Sequence, residues 1–144
     1  MAASAVELFL AQVKVALLGA TAAGARVERG RPDPFDGTEL PALNIRRGRV
    51  ETSEMGQSMD HSIISFEVDI EVRGSDWETI ADALHVEIDT ALTTNAPLLA
   101  MVRGLRATGT DPTAEGGDDT AGRITARYQA QILTRRGDMT RQLT

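Results

Sequence analysis

The stretch "SIISFEVDIEVR", residues 62–73, decides the fold. Ile64, Phe66, Val68, Ile70 and Val72 alternate with Ser65, Glu67, Asp69, Glu71 and Arg73. Successive side chains of a strand point to opposite faces, so this period of two predicts a strand with one apolar and one polar face. The apolar face needs a cover, which the rest of the chain must supply.

Downstream, "GSDWETIADALHVEIDTAL" changes the period. Trp77, Ile80, Ala81, Leu84, Ile88 and Leu92 recur at helical steps, Ser75 and Glu78 have capping-box spacing, and Asp76 and Glu78 suit the first turn. Asn95-Ala96-Pro97 interrupts the run, and "LLAMV" predicts one further helical turn. "GLRATGTD" reads as a strand with Leu105, Ala107 and Gly109 on one face, and "PTAEGGDDTAG" as a hairpin tip. "RITARYQAQIL" is the last strand, with Ile124, Ala126, Tyr128, Ala130 and Ile132 alternating against polar residues. Residues 135–144 have no apolar pattern and are expected to be a mobile tail.

Upstream, Ser4 caps a helix running to about Leu18, with Gly19 ending it. Val6, Phe9, Leu10, Val13, Ala16 and Leu17 lie along one side, and Leu8, Val15 and Leu18 widen the stripe. A helix apolar over so much of its circumference is covered on more than one side, by its own domain or by a neighbouring subunit. "ARVER" reads as a short strand, and "GRPDPFDGTELP" as a stiff polar loop. "ALNIRR" alternates again, Gly48 reads as a turn, "RVET" as a returning strand, and "SEMGQSMDH" as a flexible loop. The order predicts a single α+β domain over residues 1–134. It would be a mainly antiparallel sheet of about four to five strands with two long helices packed on one face.

Composition narrows the function. The chain has 144 residues, 42% of them apolar, enough for one buried core. Aromatics are 3% and the net charge is −6, which argues against stacking on single strands or coating nucleic acid by neutralising phosphates. The absence of cysteine excludes disulfides, thiolate nucleophiles and zinc–thiolate sites. No apolar run reaches the roughly 18–20 residues of a membrane span. The N-terminal stretch carries Glu7 and Lys14 within its apolar part and no basic start, so it reads as an amphipathic helix and the protein as not exported. Basic residues are fourteen Arg and one Lys, a skew from which no function follows.

Candidate chemistry is sparse. His85 has Asp82 and Asp89 at helical spacing, but a metal site would need another ligand, and a helix-surface or half-buried imidazole is the simpler reading. His61 has no assigned role. "DPTAEGGDDTAG", residues 111–122, places Asp111 and Gly116 as a calcium loop would, but Thr113 and Gly122 replace two required ligands, so it reads as a solvated acidic tip. Phosphate-binding glycine loops and nucleophile elbows are missing, and the carboxylates are spread out, so neither an enzyme nor a cofactor is expected.

Three surfaces are left for interaction. Glu67, Asp69 and Glu71 form an acidic strand face, with Arg127 or Arg73 as possible cross-strand partners. Arg46, Arg47 and Arg49 cluster beside the expected turn and could meet the acidic face of a neighbour. Met55 and Met59 sit in a polar loop, as incidental residues or an adaptable contact.

The sequence of "GRPDPFDGTELPALNI", "SIISFEVDIEV", "WETIADALHVEIDTAL", "APLLAMVRGLRATGTD" and "ITARYQAQI" resembles the tail terminator proteins of long-tailed phages, the lambda-type minor tail protein family. The likeness covers roughly residues 3–134 and lies in layout and a few short signatures. It implies an α+β subunit of a hexameric ring at the head–tail junction of a virion, assembled in the host cytoplasm. The ring caps the tail tube, ends polymerisation of the tube protein, and offers its other surface to a head completion or stopper protein. DNA passes through without specific binding, and neither cofactor, catalysis nor membrane is implied.

On that resemblance, Leu8, Val15, Phe35, Arg46, Arg47 and Arg49 become candidates for subunit contacts, and the loop at 30–41 is expected to reach a neighbour. Glu67, Asp69 and Glu71 would line the hole, where like charge keeps DNA from sticking. Met55, Met59, Glu115, Asp118 and Asp119, on loops 54–60 and 112–121, would meet the tube or the head. The rival readings are another head–tail connector ring, such as a stopper or completion protein, and a host module binding a small ligand.

Overall fold

The computed structural model describes residues 2–115 and 120–143. Helix α1 spans Ala5–Leu17, and the Ser4 hydroxyl accepts from the Glu7 amide at 3.1 Å. Leu18 is extended and Gly19 has φ 73°, which ends the helix where a left-handed residue is needed. Strand β1 (Val27–Arg29), a 3-10 turn (Gly37–Glu39), β2 (Ala42–Met55) and β3 (Met59–Arg73) follow. Then come α2 (Trp77–Thr94), α3 (Ala96–Leu99), β4 (Gly104–Glu115), β5 (Ala121–Arg135) and β6 (Asp138–Gln142).

The architecture is α+β. One sheet runs in the order β1-β2-β3-β5-β4, with β6 also paired to β5. Only β1–β2 is parallel; the other pairs are antiparallel. Ile64, Phe66, Val68, Ile70 and Val72 are all buried, as the alternation requires. Phe66 and its register partner Tyr128 stand at the centre. Phe9 of α1 meets Phe66 edge-on at 5.6 Å, Tyr128 stacks on Phe66 at 5.5 Å, and His85 of α2 packs edge-on to Tyr128 at 6.2 Å. Burial, with Asp89 beside the phenol, pushes the Tyr128 pKa far above its ordinary value. Its hydroxyl donates to Asp89 at 3.2 Å.

Several expectations are corrected. The sheet has six strands instead of four or five, and a third helix, α3, follows the two long ones. Gly48 does not turn the chain. Strand β2 runs straight through it, with a bulge between Arg47 and Val50. A Cβ on Gly48 would stand 2.7 Å from the Ser65 carbonyl, so glycine permits close approach of two backbones here. A bulge between Ala107 and Gly109 likewise moves Gly109 off the face shared by Leu105 and Ala107. Helix α2 starts after Asp76 without a side-chain cap among the described residues, so the Ser75–Glu78 box does not form. Residues 138–142 of the expected tail form β6, antiparallel to β5.

The polar loop folds back instead of reaching out. The Gly30 amide donates to the Ile45 carbonyl at 2.9 Å, and Asn44 clamps the backbone of Arg31 through two hydrogen bonds of 3.1 and 2.9 Å. The Arg31 guanidinium donates to the carbonyls of Asp33 and Pro34, pairs with Glu39, and lies 4.3 Å from the Phe35 ring centre. Asp36 and Glu39 cap the 3-10 turn reciprocally. This clasp leaves Phe35 9% exposed, its amide donating to Glu71 at 3.5 Å. Phe35 therefore belongs to the chain's own packing and is not free for a neighbour.

Candidate functional site

The polar side of β3 is a grid of paired charges. Arg46 on β2 binds both Glu67 and Asp69, and Thr125 on β5 donates its hydroxyl to Asp69 at 2.8 Å. Arg123 on β5 reaches Glu71 at 3.4 Å. Hydrogen bonding to Asp69 raises the Arg46 pKa above its ordinary value. Arg46 and Arg123 thus pair with these carboxylates, whereas Arg127, beside Glu67 in register, pairs with Asp111 on β4. Asp69 and Glu71 are 3% and 8% exposed. The acidic wall expected to line a passage is therefore paired with arginines and largely covered, with Glu67 half-exposed.

The arginine cluster divides. Arg46 is committed within the chain, Arg49 pairs with Glu51 at 3.0 Å on the open surface, and Arg47 is exposed. Arg47 contributes, with Arg29, to holding the Glu7 carboxyl below its ordinary pKa; the Arg29 hydrogen bond is the main cause. That bidentate Arg29–Glu7 contact ties β1 to the first turn of α1.

The methionine loop is the tip of the long β2–β3 hairpin. Met55 and Met59 are register partners flanking the turn, with Met55 40% exposed and Met59 half-buried. The turn is fastened: Arg136 donates to the Gln57 and Gly56 carbonyls at 3.2 and 3.3 Å and pairs with Asp60 at 3.4 Å. Glu115 is exposed at the end of β4, whereas Asp118 and Asp119 lie outside the described residues. Asp111 and Thr113 are in β4 and Gly122 is in β5, antiparallel strands rather than a cation-wrapping loop. Gly122 lies under the Trp77 ring, where a Cβ would come within 2.2 Å.

His85 keeps company with Tyr128, and its Nε2 is buried without a hydrogen-bond partner among the described residues. His61 meets Gln131 at 3.1 Å. Among the described residues, no group of three or more His, Asp or Glu is placed to hold a metal ion. No helix among them is long and apolar enough to cross a membrane.

The over-wide stripe of α1 resolves into two faces. Ala5, Val6, Phe9, Leu10, Val13, Ala16 and Leu17 are buried. Leu8, Val15 and Leu18 remain 46%, 58% and 42% exposed, with exposed Ala11 between them. These four recur at steps of three and four, the spacing of a helix seam. Leu99 of the adjacent α3 is also exposed. The exposure of Leu8 and Val15 was foreshadowed by the width of the stripe; the clasp over Phe35 had no periodic signal.

Compared with known proteins, the chain matches no family model and no curated protein. Among solved structures, it is similar to a chain of one titled "Virion of native gene transfer agent (GTA) particle". That match has 13% identity and a TM-score of 0.47, over 85% of this chain and 91% of the other.

Proposed function

We propose that this chain is a structural virion protein, one of several identical copies that close into a ring on the end of a phage tail tube. The ring, a hexamer at the head–tail junction, ends tube polymerisation, presents its other surface to a head completion protein and lets DNA through. It works by shape and carries out no reaction. One observation carries the assembly part of this reading: the seam of Leu8, Ala11, Val15 and Leu18 left open on a helix whose other side is fully packed. A contiguous apolar ridge of this kind marks a contact surface. The tube-capping role is supported by the resemblance of sequence layout described above.

Native mass and electron microscopy, with and without purified tail tubes, test the proposal. Rings bound at tube ends are the expected result. Rings that ignore tubes but bind portal complexes would point to a stopper or completion protein. A chain that stays monomeric with tubes present would end the reading.

A further inference from the structure

Strand β4 lies at one end of the sheet path, and ten of its twelve residues are exposed. At the other end, β1 covers β2 only at Leu43–Ile45, so β2 from Arg46 to Met55 has no outer neighbour among the described strands. Three successive antiparallel pairings separate β2 from β4, so the two run in opposite directions. A second copy set beside the first in the same sense therefore brings its β2 antiparallel to the first copy's β4.

From this we infer that the open edge of β4 pairs with the open edge of β2 in the next copy, joining the sheets head to tail. This rests on the reading of the protein as a ring of identical subunits and adds a strand seam to the contact surface on α1. One register stands out. Both edges carry a bulge, at Thr108 and at Gly48–Arg49. Setting Ala107 opposite Val50 puts the bulges level. Arg103 then faces Glu54, Arg106 faces Glu51, and Asp111 faces Arg46. A slip of two residues either way loses all three opposite-charge pairs, and one slip sets Arg106 against Arg49. Within each chain Asp111 already binds Arg127, Arg46 binds Glu67 and Asp69, Glu51 binds Arg49 and Glu54 binds Arg136, so the seam extends these charge rows across the joint.

The same register explains where pairing stops. Pro112, which has no amide hydrogen, falls opposite Ile45, whose carbonyl is already taken by the Gly30 amide. Pairing would thus end where β1 begins. A seam that uses a different edge on each partner is heterologous, and repeats until the rotation closes.

The chain has no cysteine, so a cross-link reads the seam without background. Gly104→Cys with Ser53→Cys places thiols on facing seam positions, and a Cβ at Gly104 meets nothing within 4 Å. Within one chain these residues are separated by three strand spacings, about 14 Å, too far for a disulfide. Oxidation of the assembled double variant should give a ladder of covalent oligomers on a denaturing gel. Mixed single variants should give dimers, and each single variant alone should give none. Arg106→Glu should weaken the ladder in this background, and adding Glu51→Arg should restore it. Rings of normal mass that fail to cross-link would overturn the seam while leaving the ring reading intact. Monomers under every condition, tubes included, would overturn both.

Discussion

The two faces of β3 are buried by opposite means, the apolar face completely and the polar face around Asp69 and Glu71. On one face, Ile64, Phe66, Val68, Ile70 and Val72 lie in the common core with residues of α1 and α2. On the other, Asp69 and Glu71 are enclosed by Arg46, Thr125, Arg123 and the Phe35 loop. The apolar face gains stability simply by losing water. The charged face must replace every lost water contact with a placed donor, so its contribution depends on partners that come from two other strands and a loop. The apolar face should therefore set global stability, and the polar face should set how uniquely β2, β3 and β5 are held.

The largest expected effect is on the apolar side. Phe66→Ala removes the ring between Phe9 and Tyr128 and should cost about 4 kcal/mol, a large part of an ordinary domain's stability. Urea denaturation measures it; a loss under about 1 kcal/mol would mean that the centre of the sheet is loosely packed. On the charged side, Arg46→Ala leaves Asp69, whose side chain is 4% exposed, without its counter-charge and with the Thr125 hydroxyl as its remaining donor, but Arg46 itself is 43% exposed and water can enter. Breaking a buried pair typically costs about 3–5 kcal/mol, and the exposure brings the expectation down to about 2. Replacing both residues, Arg46→Ala with Asp69→Asn, should recover part of that loss because position 69 then carries no unpaired buried charge. An equal or larger loss in the double variant would break the contrast between the faces.

Periodicity made one of these faces legible and concealed the state of the other. The alternation in 62–73 identified every buried apolar residue of β3, and the helical steps in α2 found Ala81, Leu84, Ile88 and Leu92. It also labelled Asp69 and Glu71 as the polar side, but Asp69 is covered by partners on two other strands and Glu71 by a loop 36 residues away, which no local period records. Gly48 misleads for a related reason. Glycine serves a turn and a close strand crossing equally well, and only the Ser65 carbonyl opposite decides between them. Strand β6 had no period to show because it packs lightly on both sides. The open seam on α1 was visible as excess width, whereas the open edges of β2 and β4 emerge only once strand order is known.

Phe35→Ala tests the cover over the charged face. It removes the ring under Arg31 and opens the Glu71 end of the grid, and about 1.5 kcal/mol is expected from the apolar area and the cation–π contact. Hydrogen exchange should speed up at 31–40 well before the core amides of β3 respond. If exchange quickened equally in both, the loop would be part of the global folding unit instead of a separate lid over the polar face.

The smallest effect is expected at the rim, where Glu7 joins α1 to Arg29. The Arg29 guanidinium lowers the Glu7 pKa from its ordinary value of 4.5, so the native state binds this proton less readily than the unfolded chain. The contribution is then fully present above pH 4.5 and disappears as pH falls through the lowered value. Because the Glu7 side chain is 43% exposed, solvent screening limits it to about 0.5 kcal/mol. Glu7→Gln should therefore be slightly less stable than the parent at pH 7 and equal to it in strong acid. Added salt should shrink the difference at pH 7. A gap that widened on acidification would mean that Glu7 stabilises as a neutral acid, and that the tie between α1 and β1 is not an ion pair in solution.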